Sequence, residues 1–333
     1  MTFPSLHQDR AHAPIFIVGC ARSGNTLLYH TLLSTGTFAN YRGEPAVFDL
    51  IAPKFGSLAS QPTRERMMEV WLQSRMFRIS GLDGDAIREK IVRHCRSRGD
   101  FLRTVMDEIA HSQGLSRWAV WGPDNLLCMK EIKTEIPDAL FIHIMRDGRD
   151  VATSLAREGW IQAFPWDRDQ RMLVAALHWR WKVEYGRTAG RELGSDYMEA
   201  RYEDLILRRE LTLNRVGSFI RQALDHNRID QNPIGTLCTP NSTFHEEIAE
   251  HRFQPIERWR RHLSARELET IEIAIAPLLQ ELGYSLNSPT GKAGIRQRIA
   301  QVLYPRFCDT KRWLKFHTVF GRMTSLQRLH LND

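Results

Sequence analysis

A glycine, four residues, a second glycine and then Asn25-Thr26 make up the segment Gly19-Cys20-Ala21-Arg22-Ser23-Gly24-Asn25-Thr26. This is the spacing of a loop that cradles phosphate with backbone N–H groups, G-x-x-x-x-G-K-[ST]. Asn25 stands where a lysine would reach the β- and γ-phosphates of a triphosphate. A loop that keeps the cradle and lacks the lysine predicts a phosphate-bearing ligand that is not a triphosphate. Arg22, Ser23 and Thr26 add side-chain donors for an anion. The alternative is a tight turn that binds nothing. A second grip is spelled by Arg146-Asp147-Gly148-Arg149-Asp150, where an arginine follows an apolar run directly. Ser154 lies eight residues after Arg146, so an arginine and a hydroxyl could hold one phosphate from two sides. Alone, Arg149 and Asp150 could equally be a surface ion pair.

Both segments need strand–turn–helix units to position them. Pro14-Ile15-Phe16-Ile17-Val18 reads as a buried parallel strand, and Leu27, Leu28, Thr31 and Leu32 recur at helical spacing after the loop. A helix N-terminus and backbone N–H groups then converge on an anion. Trp118–Trp121 reads as a strand stopped by Gly122-Pro123, Asn125–Glu135 as a helix, and Ala139–Met145 as the clearest strand. Arg171–Leu193 reads as a long helix and Tyr197–Tyr202 as another strand. Ser264-Ala265-Arg266-Glu267 is a capping box opening a helix that ends at Gly283. Two helical patterns, Thr63–Ile79 and Asp85–His111, read as an insertion over 63–111. Alternating strands and helices predict an α/β three-layer sandwich with a central, mostly parallel sheet, like that of the phosphate-loop NTPases. Ligands belong at the carboxyl ends of its strands.

The chain has 333 residues, 42% hydrophobic and 26% charged, which suits one large globular core. No apolar stretch is long enough to cross a bilayer, and Met1–Ala13 lacks the apolar core of a signal peptide. The expectation is a cytoplasmic protein. Five cysteines without C-x-x-C spacing argue against a disulfide framework or a zinc site. The net charge of +7 is uneven. Residues 291–333 hold nine Lys/Arg against two acids, and the remainder balances. The expected organisation is an arm at 1–12, a main domain at 13–289 and a basic helical extension at 290–333. The extension either touches an anionic surface, such as a membrane, or packs on its own domain. With a neutral body and no recognition motif, nucleic acid is not an expected partner.

Gly19–Leu28 resembles the 5′-phosphosulfate loop of the sulfotransferases that use 3′-phosphoadenosine 5′-phosphosulfate. Phe141–Leu155 resembles their 3′-phosphate motif, with the Arg146-to-Ser154 spacing intact. Tyr202-Glu203-Asp204-Leu205 is similar to the family's tyrosine–acid segment, and Arg258-Trp259-Arg260 with Leu282-Gly283-Tyr284 to the C-terminal region of its bacterial and tyrosylprotein-type branch. The resemblance covers about residues 13–286. It implies that Arg22, Ser23, Gly24, Asn25 and Thr26 hold the 5′-phosphosulfate and that Arg146 and Ser154 hold the 3′-phosphate. Arg258 or Arg260 would close over the nucleotide, and Phe244, in the loop Thr239–Phe244, would stack on adenine unless it is a core residue. No metal is required. The activity implied is sulfuryl transfer to a hydroxyl of a carbohydrate, lipid or peptide.

Such a transfer needs a base for the acceptor proton and positive charge at the departing oxygen. Arg22 can supply the charge. Glu44, in Arg42-Gly43-Glu44-Pro45, follows the first helix as the catalytic Glu does in Glu-dependent branches, and is the expected base. His30, His143 and His178 are rivals. The chain departs from the family at Trp121, where many relatives carry a lysine, leaving Arg22, Lys130 or Lys133 to serve instead. Gly159-Trp160-Ile161-Gln162-Ala163-Phe164-Pro165-Trp166 either lines an acceptor cleft or supplies Trp160 and Trp166 as hydrophobic plugs; the first reading, with the basic tail, favours a carbohydrate or glycolipid. The competing readings are a nucleotide kinase, opposed by the missing lysine, and a non-catalytic nucleotide- or glycan-binding module.

Overall fold

Ile15–Val18 (β1) is wholly apolar and wholly buried, as a strand covered on both faces must be. In the computed structural model, which describes residues 10–330 apart from 160, 162–169, 241–244, 252, 288–290 and 292, it lies at the centre of a four-stranded sheet. Helix α1 (Asn25–Ser34) follows β1. Next come α2 (Gln61–Leu72), α3 (Gly84–His94), α4 (Arg98–Ser112), β2 (Ala119–Trp121), α5 (Met129–Glu135), β3 (Leu140–Met145) and α6 (Gly148–Glu158). The chain continues through α7 (Arg171–Leu193), β4 (Tyr197–Arg201), α8 (Arg209–Ile220), α9 (Ala265–Glu281) and α10 (Ile295–His317), with shorter helical turns between. Strand order is β2-β1-β3-β4 and every pairing is parallel. Phe16 is level with Val120 on one side and Phe141 on the other.

Successive side chains on a strand point to opposite faces, and each face has its own core. Phe16, Val18, Val120 and Phe141 pack with Met67, Phe101, Ile109 and Ile132 from α2, α4 and α5. Ile15, Ile17, Ile142 and Ile144 pack with Leu28 and Leu32 of α1 and Leu213 and Val216 of α8. The expected α/β sandwich with a parallel sheet is therefore present. A third cluster joins α6, α7, α9 and α10.

The two long helical patterns before β2 are interrupted. Ser74 caps the separate turn Arg75–Arg78, and Ser97 forms a capping box with Asp100 that starts α4 afresh. These local side chain–backbone bonds end and restart helices where the apolar period runs on unbroken. The basic C-terminal segment packs on its own domain. Ala300, Tyr304 and Cys308 of α10 are buried in the third cluster, and Leu329 is buried in the first. No helix among the described residues is long and apolar enough to cross a membrane.

Two rival bases are core groups. His143 on β3 shares a 2.6 Å hydrogen bond with the Tyr197 hydroxyl, and His178 on α7 meets the Tyr304 hydroxyl at 3.2 Å. Burial, aided by Arg187 and Lys182 respectively, pushes each ring down from 6.5 to about 3. The unfolded chain therefore takes up these protons first, so the stability they carry is complete above pH 6.5 and is lost as pH falls toward 3. Each ring is expected to cost about 2 kcal/mol by pH ~5. Thermal melts across this range check it, and a midpoint unchanged between neutrality and pH ~5 would refute the buried neutral state.

Candidate active site

The loop after β1 has a geometry that few side chains could follow. A Cβ on Gly19 would stand 2.4 Å from the Ile144 carbonyl oxygen. Arg22 has φ 69° and Gly24 φ 98°, so two of the loop's residues sit in left-handed backbone. Gly24 precedes the first turn of α1, leaving that helix's N–H groups directed into the loop. The Asn25 side chain donates to the Cys20 carbonyl at 2.9 Å, a brace across the loop. Ser23 is fully buried, and its hydroxyl has no hydrogen-bond partner among the described residues. Thr26 sits half-buried in the first turn of α1.

The second segment closes on the first. Arg22 Nε donates to Ser154 Oγ at 3.0 Å, and Arg146 Nη1 donates to the Arg22 carbonyl at 3.3 Å. Arg146 also donates to Asp150 and to the Pro255 carbonyl, while its Nε is buried without a partner among the described residues. Its guanidinium lies 4.4 Å from the centroid of the Tyr202 ring, and the same ring abuts Gly24. Burial alone would lower the pKa of Arg146, but Asp150, Tyr202 and Glu203 hold it above the ordinary value. Arg258 is buried beside this group, with its pKa pushed down to about 10 chiefly by burial and further by Arg146. Burial also lowers the Arg22 pKa, against the pull of Glu158. The buried guanidiniums of Arg146 and Arg258 and the partly buried one of Arg22 thus lie close together.

The turn itself is braced from elsewhere. Glu203 accepts from the Asp147 N–H and from the Tyr284 hydroxyl, both at 2.8 Å. Arg149 and Asp150 do not form the surface pair considered from sequence. Arg149 is buried against Asp147 and Glu272 and lies 4.1 Å from the centroid of the Trp259 ring, whereas Asp150 pairs with Arg146 and accepts the Trp259 N–H. Arg260 is turned outward onto Glu257, so of the two candidate closing arginines only Arg258 stands beside Arg146.

Glu44 lies at the carboxyl end of β2. Its Oε1 is 3.2 Å from where a Cβ on Gly122 would stand, and the Gly122 N–H bonds to Ile17 of β1 just before the loop. Arg328, from the C-terminal tail, bonds to Glu44 there, and also to Asp49 at 2.7 Å and Asp124 at 3.2 Å. Lys182 of α7 donates to Asp124 at 2.6 Å and to the Pro123 carbonyl at 3.1 Å. Burial would raise the Asp124 pKa, but Lys182 and Arg328 hold it well below the usual carboxylate range. Lys182 also acts on the loop thiol Cys20, which burial pushes up to about 12.

Lys182, Asp124 and Arg328 were missed from sequence, and no local spacing marks them. Lys130 and Lys133 are elsewhere. They pair with Glu192 and Asp196, and Lys133 also bonds the carbonyl of Ala139, just before β3. That is the amino edge of the sheet, opposite the loops. Trp121 packs beside Tyr29 of α1, with ring centroids 6.5 Å apart. His30 is pinned by Thr236 and pushed down to about 4 by burial and Arg42. Phe244, Trp160 and Trp166 lie outside the described residues.

Gly24→Ala is expected to test the loop. The new Cβ would fall 2.4 Å from Tyr202 Cδ2, at a φ that disfavours alanine. A stability loss of about 1–3 kcal/mol follows, with weaker phosphate binding. Thermal melts and ligand calorimetry check this, and wild-type values would show that the Tyr202 ring moves aside.

Residues 14–226 match the model of the "Sulfotransferase family". Among solved structures, the chain is similar to the sulfotransferase domain of the Synechococcus PCC 7002 olefin synthase. Identity is 18%, the match covers 86% of this chain and 98% of that one, and the TM-score is 0.56. It is similar also to the sulfotransferase domain from the curacin biosynthetic pathway, at 15% identity, 82% and 98% coverage and a TM-score of 0.54. At such identities these likenesses bear on fold. No curated protein matches the chain. The family match runs from the residue before β1 through both arginine-bearing turns and β4, which is most of the chain and all of its sheet, so this protein belongs to the sulfotransferase family.

Proposed function

We propose that this chain transfers a sulfuryl group from 3′-phosphoadenosine 5′-phosphosulfate to a hydroxyl of an acceptor, a carbohydrate or glycolipid. The supporting observation is the joining of the two grips through Arg22, whose side chain bonds Ser154 and whose carbonyl accepts from Arg146. The buried Ser23 hydroxyl and Arg146 Nε, without a partner among the described residues, are, with the glycine cradle, what an anionic ligand would complete. When bound, the co-substrate supplies the activated sulfuryl group.

In this reading Arg22, Ser23, Gly24, Asn25 and Thr26 hold its 5′ end, Asn25 by keeping the loop closed. Arg146 and Ser154 hold the 3′-phosphate, with Arg258 beside them, and Phe244 is the proposed adenine contact. Arg22 and the α1 N-terminus place positive charge where the leaving oxygen develops negative charge. Lys182 adds a second cation behind the loop. Glu44 accepts the acceptor's hydroxyl proton at its carboxylate, which Arg328 orients. Calorimetry tests the ligand class. Adenosine 3′,5′-bisphosphate is expected to bind in the micromolar range, and ATP with magnesium far more weakly. Tight ATP binding with none for the bisphosphate would overturn the proposal.

A further inference from the structure

Helix α10 has two apolar rows, and among the described residues only one is buried against the fold. Ala300, Tyr304 and Cys308, four residues apart, are buried in the cluster shared with α7 and α9. Polar bonds lock this orientation. The Trp181 indole donates to Asp309 at 2.9 Å, and the Gln297 and Gln301 amides donate to the carbonyls of Thr270 and Ile273 on α9. The helix therefore cannot roll to hide its other side.

That other side should be polar if it met only water. Instead Ile295, Ile299, Val302, Leu303 and Trp313 project there, 77, 52, 53, 42 and 55% exposed. The spacing is helical throughout, since Trp313 lies eighteen residues, or five turns, beyond Ile295. Arg296, Arg298 and Arg306 are exposed around this row and make no ion pair with another described residue. The helix carries six Lys/Arg and a single acid, Asp309, whose carboxylate is taken by Trp181.

We propose that this outer face of α10 is a docking surface for an anionic membrane, independent of the sulfotransfer reading. The apolar row enters the boundary between headgroups and acyl chains, and the flanking arginines meet lipid phosphates. The charge pattern selects this occupant. A twofold self-contact through the row would bring like arginines of two copies together. Nucleic acid would satisfy the arginines but leave the apolar row in water.

Co-sedimentation of the full chain with lipid vesicles tests the proposal. Binding is expected to vesicles of phosphatidylcholine with phosphatidylglycerol, to be absent with phosphatidylcholine alone, and to weaken with added salt. Ile299→Glu with Val302→Glu, and separately Arg296→Glu with Arg298→Glu, are each expected to lower the affinity at least about tenfold. All four positions are exposed, so circular dichroism and the thermal midpoint should stay unchanged. Absence of binding to anionic vesicles, or binding that neither pair weakens, overturns the proposal. A stable dimer dissociated by Ile299→Glu would reassign the face to self-association, and preferential binding of single-stranded RNA would reassign it to nucleic acid.

Discussion

Arg146→Ala is expected to lower the affinity for adenosine 3′,5′-bisphosphate at least about a hundredfold, because a charge-assisted phosphate contact at a buried site is lost with the arginine. The same side chain ties the two turns together through the Arg22 carbonyl, and among the described residues it is the ion-pair partner of Asp150, whose carboxyl is fully buried. Removing one partner of a buried pair leaves the other charge uncompensated, so stability is expected to fall by about 3 kcal/mol as well. Arg146→Lys separates the effects. It keeps a charge near Asp150 but loses the planar fork that spans Arg22, Asp150 and Pro255. A folded Lys variant should still bind the bisphosphate poorly. Calorimetry decides, and wild-type affinity in either folded variant would remove Arg146 from the binding site.

Glu44→Gln is expected to reduce turnover by about 10²–10⁴-fold, the usual worth of a positioned base, with bisphosphate affinity unchanged. The split follows from geometry, since the nucleotide contacts assigned to Arg22, Arg146 and Ser154 do not involve the Gly122 edge where Glu44 stands. Arg328→Ala serves as the comparison. It leaves Glu44 in place but removes the guanidinium that also serves Asp49, a buried carboxylate, at a cost of about 2 kcal/mol in stability. Turnover should drop in this variant too, by less than in Glu44→Gln. Single-turnover rates with a sulfatable acceptor measure both. Full turnover by Glu44→Gln would show that another group takes the proton.

The two strand–turn–helix segments were legible because each is local. A buried apolar strand, a turn whose residues follow it directly, and a helix start all lie within about a dozen residues, so spacing carries the geometry. Helix boundaries in 61–112 were less legible. Ser97 and Asp100 form their capping box inside one continuous apolar period, and the period dominates the reading. The surroundings of Glu44 were not legible. Glu44, Asp49, Asp124, Lys182 and Arg328 meet at the carboxyl end of β2 from four separate parts of the chain. Nothing in the neighbouring sequence of Lys182 distinguishes it from a solvated lysine on a helix.

The basic tail divides along the same line. Composition alone located the whole charge excess after residue 290. Only the packing separated Arg312, held on the Leu127 carbonyl, and Arg328, held on three carboxylates, from Arg296, Arg298 and Arg306, which face outward. By itself the sequence determined an α/β chain with two arginine-bearing strand-to-helix turns in a set order, because strand, turn and helix are short-range consequences of residue type. Tertiary structure decided that the turns share one site, which charges stand at its edge, and which row of α10 is left outside. Those outcomes depend on contacts between distant segments, where burial and pairing depend on what the whole fold brings near.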